Sequence, residues 1–163
     1  MSIWWSLHLR REAASVPLAR RLLLGTMETA GVDPDISFDL SVALSEACAN
    51  AVEHGGRDPG AESGAYRVTA YLDGDRCRIE VTDSGPGFPA HTVTRHRPPQ
   101  PGAAGPAASA GQSGPGLREH GRGLCLIEEL ADHVRFRNRP GRGAVVSFDK
   151  MLKWQDGALL KAS

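Results

Sequence analysis

The sequence predicts one domain of mixed α/β structure, an α+β arrangement in which strand patterns and helical patterns follow one another along 163 residues. Three observations predict this class: an amino-terminal strand followed by two helices, a hairpin in the middle of the chain, and a helix followed by a second hairpin near the end. A chain of this length can bury a substantial core. We therefore expect residues 1–163 to form a single domain.

Composition narrows the possible partners and the compartment. Lys plus Arg and Asp plus Glu both number 19, so the net charge is zero and gives no electrostatic reason to expect direct binding of nucleic acid or of an anionic membrane. The amino terminus lacks a signal-peptide pattern, and no apolar run could cross a bilayer. Cys48, Cys77 and Cys125 have no metal-binding spacing, so we expect three buried, reduced thiols in a cytoplasmic protein.

The first third of the chain predicts a strand and two helices. Apolar residues alternate with polar ones through Ile3, Trp5, Leu7 and Leu9, which is strand periodicity. A helix follows from Ser15, an expected N-cap, to Gly31. The arginine pairs at 10–11 and 20–21 should be solvated, and a partner-binding patch is the less favoured alternative. The second helix opens at Asp33-Pro34 and runs to His54, where two glycines stop it.

The middle of the chain predicts a hairpin and then a long loop. Two alternating apolar runs, 66–72 and 77–81, flank the turn sequence Asp73-Gly74-Asp75. The second run leads into Asp83-Ser84-Gly85-Pro86-Gly87. Residues 95–116 are rich in Pro, Gly, Ala and Ser, and either a linker between two domains or a mobile lid inserted in one domain fits this composition. We favour the lid, because the residues after it would make a poor separate domain.

The last third predicts a helix and two strands. Helical spacing returns at Leu124, directly after Gly121-Arg122-Gly123, and strands follow around Phe136 and Phe148. The tail, residues 150–163, could form a short helix that packs back or could fray, and the sequence leaves both open.

Three motifs suggest chemistry. Glu46, Asn50 and His54 are spaced by four residues, so they form one polar line on the second helix; a carboxylate can accept a proton and a carboxamide oxygen can ligate Mg²⁺. Asp83 at a strand end can accept a hydrogen bond from an exocyclic amine, and Gly85 and Gly87 allow a flat ring to approach. A Gly-x-Gly before a helix favours phosphate. Each motif alone is more typical of a solvated helix face or a glycine-rich turn than of a nucleotide site.

The ordered combination of the three motifs resembles the N, G1 and G2 boxes of the GHKL, or Bergerat-fold, ATP-binding superfamily. The resemblance covers about residues 3–148, and Gly143-Ala144-Val145-Val146 is similar to its weaker final box. Within the superfamily, SEACANAVEHG, DSGPGF and GRGLCLIEELAD are most similar to segments of the bacterial anti-sigma factor serine/threonine kinases.

The resemblance implies a two-layer α/β sandwich, with a mostly antiparallel mixed sheet and helices on one face. It also implies that ATP and Mg²⁺ bind between the helices and the lid. Glu46 would be the general base, Asn50 would hold Mg²⁺ and Asp83 would bind the adenine amine. The other implied nucleotide-binding residues are His54, Gly85, Gly87, Arg118, Gly121, Arg122 and Gly123.

The resemblance further implies a function in transcription regulation. The chain would bind a sigma factor, phosphorylate an anti-anti-sigma partner of the STAS class, and form a homodimer. Two alternatives remain from the sequence: a regulatory module that binds ATP and its partner without phosphoryl transfer, and the ATPase subunit of a larger machine.

Overall fold

The computed structural model describes residues 2–54, 64–83, 118–139 and 143–158, and for residues 54 and 118–123 it describes the backbone alone. The predicted lid at 95–116 and the glycines Gly85 and Gly87 lie outside these ranges. The elements, in chain order, are β1 (Ser2–Arg10), α1 (Ser15–Ala30), α2 (Pro34–His54), β2 (Ala65–Asp73), β3 (Arg76–Asp83), α3 (Arg118–Leu130), β4 (His133–Arg139) and β5 (Gly143–Met151).

The strands form one five-stranded sheet in the order β1-β2-β3-β5-β4. Every described strand pair is antiparallel, so the predicted mixed sheet is antiparallel throughout the described chain. The register places Trp5 opposite Ala70, Val68 opposite Val81, and Ile79 opposite Phe148. β1 and β4 are the two edge strands.

The helices cover one face of this sheet. Along β3 the residues Cys77, Ile79, Val81 and Asp83 are buried, whereas the alternate positions are exposed or half-buried, as expected when one face packs on a core. α2 lies between α1 and α3 and also packs on β2 and β3. One hydrophobic cluster extends from Leu9 to Leu152 and joins both layers. The predicted α+β sandwich with helices on one face is confirmed.

The boundaries of α1 and α2 follow local signals with one exception. Gly31 ends α1 with φ of 85°, and its N–H bonds to the carbonyls of Met27 and Glu28. The Asp33 carboxylate accepts the N–H of Asp35 at 2.9 Å and caps α2, as predicted. Ser15, the expected cap of α1, is instead its first helical residue, is buried, and makes no cap bond.

The carboxy-terminal tail packs back in an extended form. The carbonyl of Lys153 accepts the N–H of Asp33 at 2.7 Å, and the N–H of Gln155 donates to the carbonyl of Gly31 at 2.8 Å, so the tail lies along the corner between α1 and α2. Leu152 is buried beside this corner. The described part of the tail therefore contacts the core without forming the short helix that the sequence left possible.

Two composition-based expectations can be compared with the structure. Cys48 and Cys77 are buried, but Cys125 is exposed on α3, so the prediction of three buried thiols was wrong for Cys125. Apolar neighbours in the sequence did not reveal that Cys125 lies on the outer side of its helix.

Among the described ranges, no helix combines the length and apolar content that a bilayer crossing requires.

Candidate functional site

The polar line predicted on α2 lies beside the buried face of that helix. Glu46 and Asn50 are both half-buried, while Ala47, Cys48 and Ala51 around them are fully buried. Four residues rotate a helix by about 40°, so the two polar side chains lie on one stripe at the boundary between core and solvent. His54 is the last residue of α2, and its side chain is outside the described part of the structure.

Asp83 is the last residue of β3 and is only 9% exposed. Strand alternation directs it toward the helix layer, on the same face as Val81 and Ile79. Its Oδ1 accepts the backbone N–H of Ala144 at 3.2 Å, which ties the carboxylate to the start of β5. The chain thus holds a buried carboxylate at the strand end where the sequence predicted an amine acceptor.

Tyr66 is the cross-strand neighbour of Asp83 on the sheet face that the helices cover. The two residues are directly opposite each other on β2 and β3, so their Cβ atoms are about 4.5–5.5 Å apart. The Tyr66 ring is buried, and its hydroxyl lies 2.6 Å from the hydroxyl of Ser15 at the start of α1. Asp83 is on the buried face of β3, and α2 packs on that strand, so α2 and the Asp83 carboxylate are on the same side of the sheet.

Burial keeps the Cys48 thiol and the Tyr66 hydroxyl uncharged. Desolvation raises the pKa of the Cys48 thiol to about 12, against a smaller lowering by its hydrogen bond to Tyr66. Burial likewise raises the pKa of Tyr66 to about 12, while the Ser15 hydroxyl lowers it and Cys48 raises it further. At neutral pH both groups are protonated, so Cys48 is a packing and hydrogen-bonding residue and not a thiolate nucleophile.

Arg11 holds the carboxy-terminal turn of α2. Its Nε donates to the carbonyl of Ala51 at 3.3 Å, and its Nη2 donates to that of Val52 at 3.0 Å. The last carbonyls of a helix lack partners within the helix, and a cation there also interacts favourably with the helix dipole. The expectation that both arginines of the 10–11 pair are solvated was wrong for Arg11. Only the chain reversal after β1 brings Arg11 to α2, and no local pattern encodes it.

The Gly-x-Gly motif at residues 121–123 was predicted to lie before a helix, but it lies within one. α3 begins at Arg118, so Gly121 and Gly123 lie inside the helix and not before it. The low helix propensity of glycine led the sequence prediction to start the helix too late. The N–H of Gly121 is still among the first four of the helix, which have no partner within the helix, whereas that of Gly123 is not. The side chains of Arg118 and Arg122 are outside the described part, as are Gly85 and Gly87.

Comparisons with known proteins agree with this architecture. A family model described as the histidine kinase-like ATPase domain matches residues 9–150. The serine-protein kinase RsbW of Listeria innocua serovar 6a is 30% identical over 142 residues, 87% of this chain and 84% of that protein. The RsbW of Bacillus licheniformis is 34% identical over 137 residues, 84% of this chain and 78% of that protein.

A solved structure supports the fold. The crystal structure of the RsbU and RsbW domains of a Mycobacterium tuberculosis protein matches with a TM-score of 0.58 and 23% identity, over 91% of this chain and 32% of that one. The family model and the two relatives confirm the predicted GHKL resemblance. Since the family model covers most of the sequence and both relatives match over more than four fifths of its length, the chain belongs to the histidine kinase-like ATPase family, alongside the serine-protein kinases named RsbW.

Proposed function

We propose that the chain is a Mg-ATP-dependent serine/threonine protein kinase that acts as an anti-sigma factor. In this proposal it phosphorylates an anti-anti-sigma protein of the STAS class and binds a sigma factor, which it holds inactive. The observation that carries the proposal is the buried Asp83 carboxylate on the sheet face that α2 covers, with the polar stripe of α2 in the same layer. The names of the relatives, serine-protein kinases at 30–34% identity, support the reaction class.

Glu46 is the proposed general base. It takes the proton of the attacking serine hydroxyl while the hydroxyl oxygen forms its bond to the γ-phosphorus and the bond to the ADP oxygen breaks. A half-buried position suits this role, because the carboxylate is accessible to a protein substrate while the packed helix α2 fixes its position.

Asn50 and Asp83 are the proposed anchors of the nucleotide. Asn50 offers one neutral oxygen ligand one helical turn beyond Glu46, which fits Mg²⁺ because this ion takes few protein ligands beside phosphate oxygens and water. When bound, Mg²⁺ neutralises charge on the phosphates. Asp83 accepts a hydrogen bond from the adenine amine, with its contact to Ala144 fixing its orientation.

The remaining proposed contacts lie outside the described side chains. Gly85 and Gly87 allow close approach of the base, and Gly121 and Gly123 line the phosphates. Arg118 and Arg122 offset phosphate charge, and His54 closes the N box. We further propose that the lid at 95–116 covers the nucleotide, that the protein is a homodimer, and that it works in the cytoplasm.

The reaction is tested by transfer of labelled phosphate from ATP to a purified STAS-domain partner. Glu46→Gln should reduce the transfer rate by about 10²–10⁴-fold, the usual contribution of a positioned base. The matched control is Glu28→Gln, the same carboxylate-to-amide change at an exposed site on α1, which should leave the rate unchanged. Tight ATP binding without transfer in the native protein would favour the regulatory module instead, and steady hydrolysis without any acceptor would favour an ATPase.

The nucleotide site is tested separately by calorimetric titration with ATP in the presence and absence of Mg²⁺. Asn50→Ala should remove most of the Mg²⁺-dependent gain in affinity and leave the metal-free affinity nearly unchanged. Asp83→Asn should weaken binding in both conditions, because the lost acceptor faces the base. Equal loss in both conditions for Asn50→Ala would contradict the metal role.

A further inference from the structure

The sheet face that turns away from the helices is rich in arginine. Residues that share this face alternate with the buried ones on each strand. On β2, β3 and β4 they include every arginine of these strands, and all of these are exposed: Arg67, Arg76, Arg78, Arg135, Arg137 and Arg139. We call this surface the arginine face.

The carboxylates on the arginine face are mostly paired within it. Glu80 lies 3.8 Å from Nε of Arg78 and 3.9 Å from Nη2 of Arg137, so one half-buried carboxylate is within ion-pair distance of two guanidinium groups. Asp149 lies 2.8 Å from Nδ1 of His133. Among the described residues, the only carboxylate of the five strands in the exposed class is Asp73. The charge offered to solvent is therefore positive.

Aromatic rings extend the face toward β1. Trp4 and Tyr71 stack with centroids 6.4 Å apart, and they are 66% and 41% exposed. Tyr71 is also directly opposite Arg78 on the neighbouring strand. Trp, Tyr and Arg are the residue types that contribute most to binding energy at protein interfaces.

The central helix of the other layer has the opposite charge. α2 carries Asp35, Asp39, Glu46 and Glu53 and no lysine or arginine. The net charge of zero hides this segregation, because it counts both layers together.

We propose that the arginine face is a docking surface for an acidic protein segment that places an apolar side chain on the Trp4–Tyr71 pair. Charge complementarity selects an anionic occupant, and guanidinium forks pair well with carboxylates. A nucleic acid fits less well, because a long polyanion extends beyond this face and the whole chain has no net positive charge to attract it. The proposal is independent of the kinase activity, because Asp83 and the α2 stripe lie on the other side of the sheet.

The test uses fluorescence anisotropy with three labelled probes: a synthetic peptide of glutamates and leucines, a peptide in which serine replaces leucine, and a single-stranded thymidine oligonucleotide of equal charge. The leucine-containing peptide should bind tightest, and Arg135→Glu combined with Arg139→Glu should weaken it by about tenfold or more. Trp4→Ala should reduce the affinity for the leucine peptide to that of the serine peptide.

The matched control reverses two exposed arginines on α1, Arg20→Glu with Arg21→Glu, and it changes the net charge by the same amount. This variant should bind the peptide within about twofold of the native protein, because its charges lie outside the face. Thermal melts confirm that both variants fold, and titration with ATP confirms that the nucleotide site is unchanged. Equal weakening by both charge reversals, absence of peptide binding, or tighter binding of the oligonucleotide would each overturn the proposal.

Discussion

Individual buried groups determine how this protein responds to alkaline pH. Burial raises the pKa of the Cys48 thiol from its ordinary value of 9.0 to about 12. Burial also raises the pKa of the Cys77 thiol to about 12, and the negative charge of Asp149 adds to this effect. Both thiols therefore stay protonated in the folded protein at pH values where the unfolded chain has already lost these protons.

We expect the free energy of unfolding to fall as pH rises from about 9 to about 12. The stabilisation is fully present below pH 9 and is lost as pH approaches the raised pKa, because the unfolded state binds fewer protons across this range. Each thiol contributes a slope of about 1.4 kcal/mol per pH unit. Urea titrations at several pH values measure it.

The alkaline effect has an internal control. Cys48→Ala or Cys77→Ala should flatten the slope, whereas Cys125→Ala, at an exposed site, should leave it as in the native protein. An unchanged slope in both buried-site variants would contradict this account.

At the scale of the elements, two glycines with left-handed backbones have different surroundings. Gly31 has φ of 85°, and a Cβ built there lies 2.6 Å from Cβ and 2.9 Å from Cα of Ala158 in the tail. Gly74, in the turn between β2 and β3, has φ of 58° and nothing within 4 Å of such a Cβ. Substituting each glycine in turn therefore separates the cost of a strained backbone, which both share, from the cost of a packing clash, which only Gly31 has.

Gly74→Ala should lower the free energy of unfolding by about 1–2 kcal/mol, the cost of a left-handed backbone for an L-residue. Gly31→Ala should cost clearly more, since the tail must also move away. Chemical denaturation of both variants measures the difference. Equal losses in the free energy of unfolding would show that the tail at Ala158 moves aside at no measurable cost.

The sequence predicted these elements where the signals are local. Gly31 and Asp33-Pro34 mark a helix end and a helix start, and alternation marked β1 to β3, because a few neighbouring residues determine each feature. Features that depend on distant contacts were missed. Ser15 was predicted to cap α1 but instead bonds to Tyr66, and the start of α3 was placed too late.

The same limit applies to the candidate site. Spacing within α2 was enough to predict that Glu46 and Asn50 share a stripe, and the strand pattern was enough to predict that Asp83 ends β3. The packing of α2 on β3, which places them on one side of the sheet, and the bond from Arg11 to the end of α2 join residues far apart in the chain. Periodicity carries no information on such contacts.

At the scale of the whole molecule, the tail joins regions that are distant in sequence. The N–H of Leu152 donates to the carbonyl of Asp75 at the hairpin turn at 2.6 Å, and Trp154 forms a bridge with Val32 between α1 and α2. The indole Nε1 of Trp154 donates to the Asp75 carboxylate at 3.0 Å. The tail thus connects one end of the sheet to the helix layer.

Leu152→Ala should lower the free energy of unfolding by about 2–5 kcal/mol, since Leu152 is only 6% exposed and its removal leaves a cavity in the shared core. Leu18→Ala, at a site 55% exposed on α1, is the matched control and should change it by less than about 0.5 kcal/mol. In the native protein, thermal unfolding followed by far-UV circular dichroism (backbone) and by near-UV circular dichroism (tryptophans) should give the same transition. Separate transitions would show that the tail opens independently of the core.

The arginine face has a practical consequence for handling the protein. Ion exchangers sense the charge of the surface that touches the resin and not the average over the molecule. At pH 7, where acidic and basic residues balance, a cation-exchange column should therefore still retain this protein through its sheet. In dilute buffer the basic side of one molecule attracts the acidic side of another, so added salt should increase solubility near neutral pH.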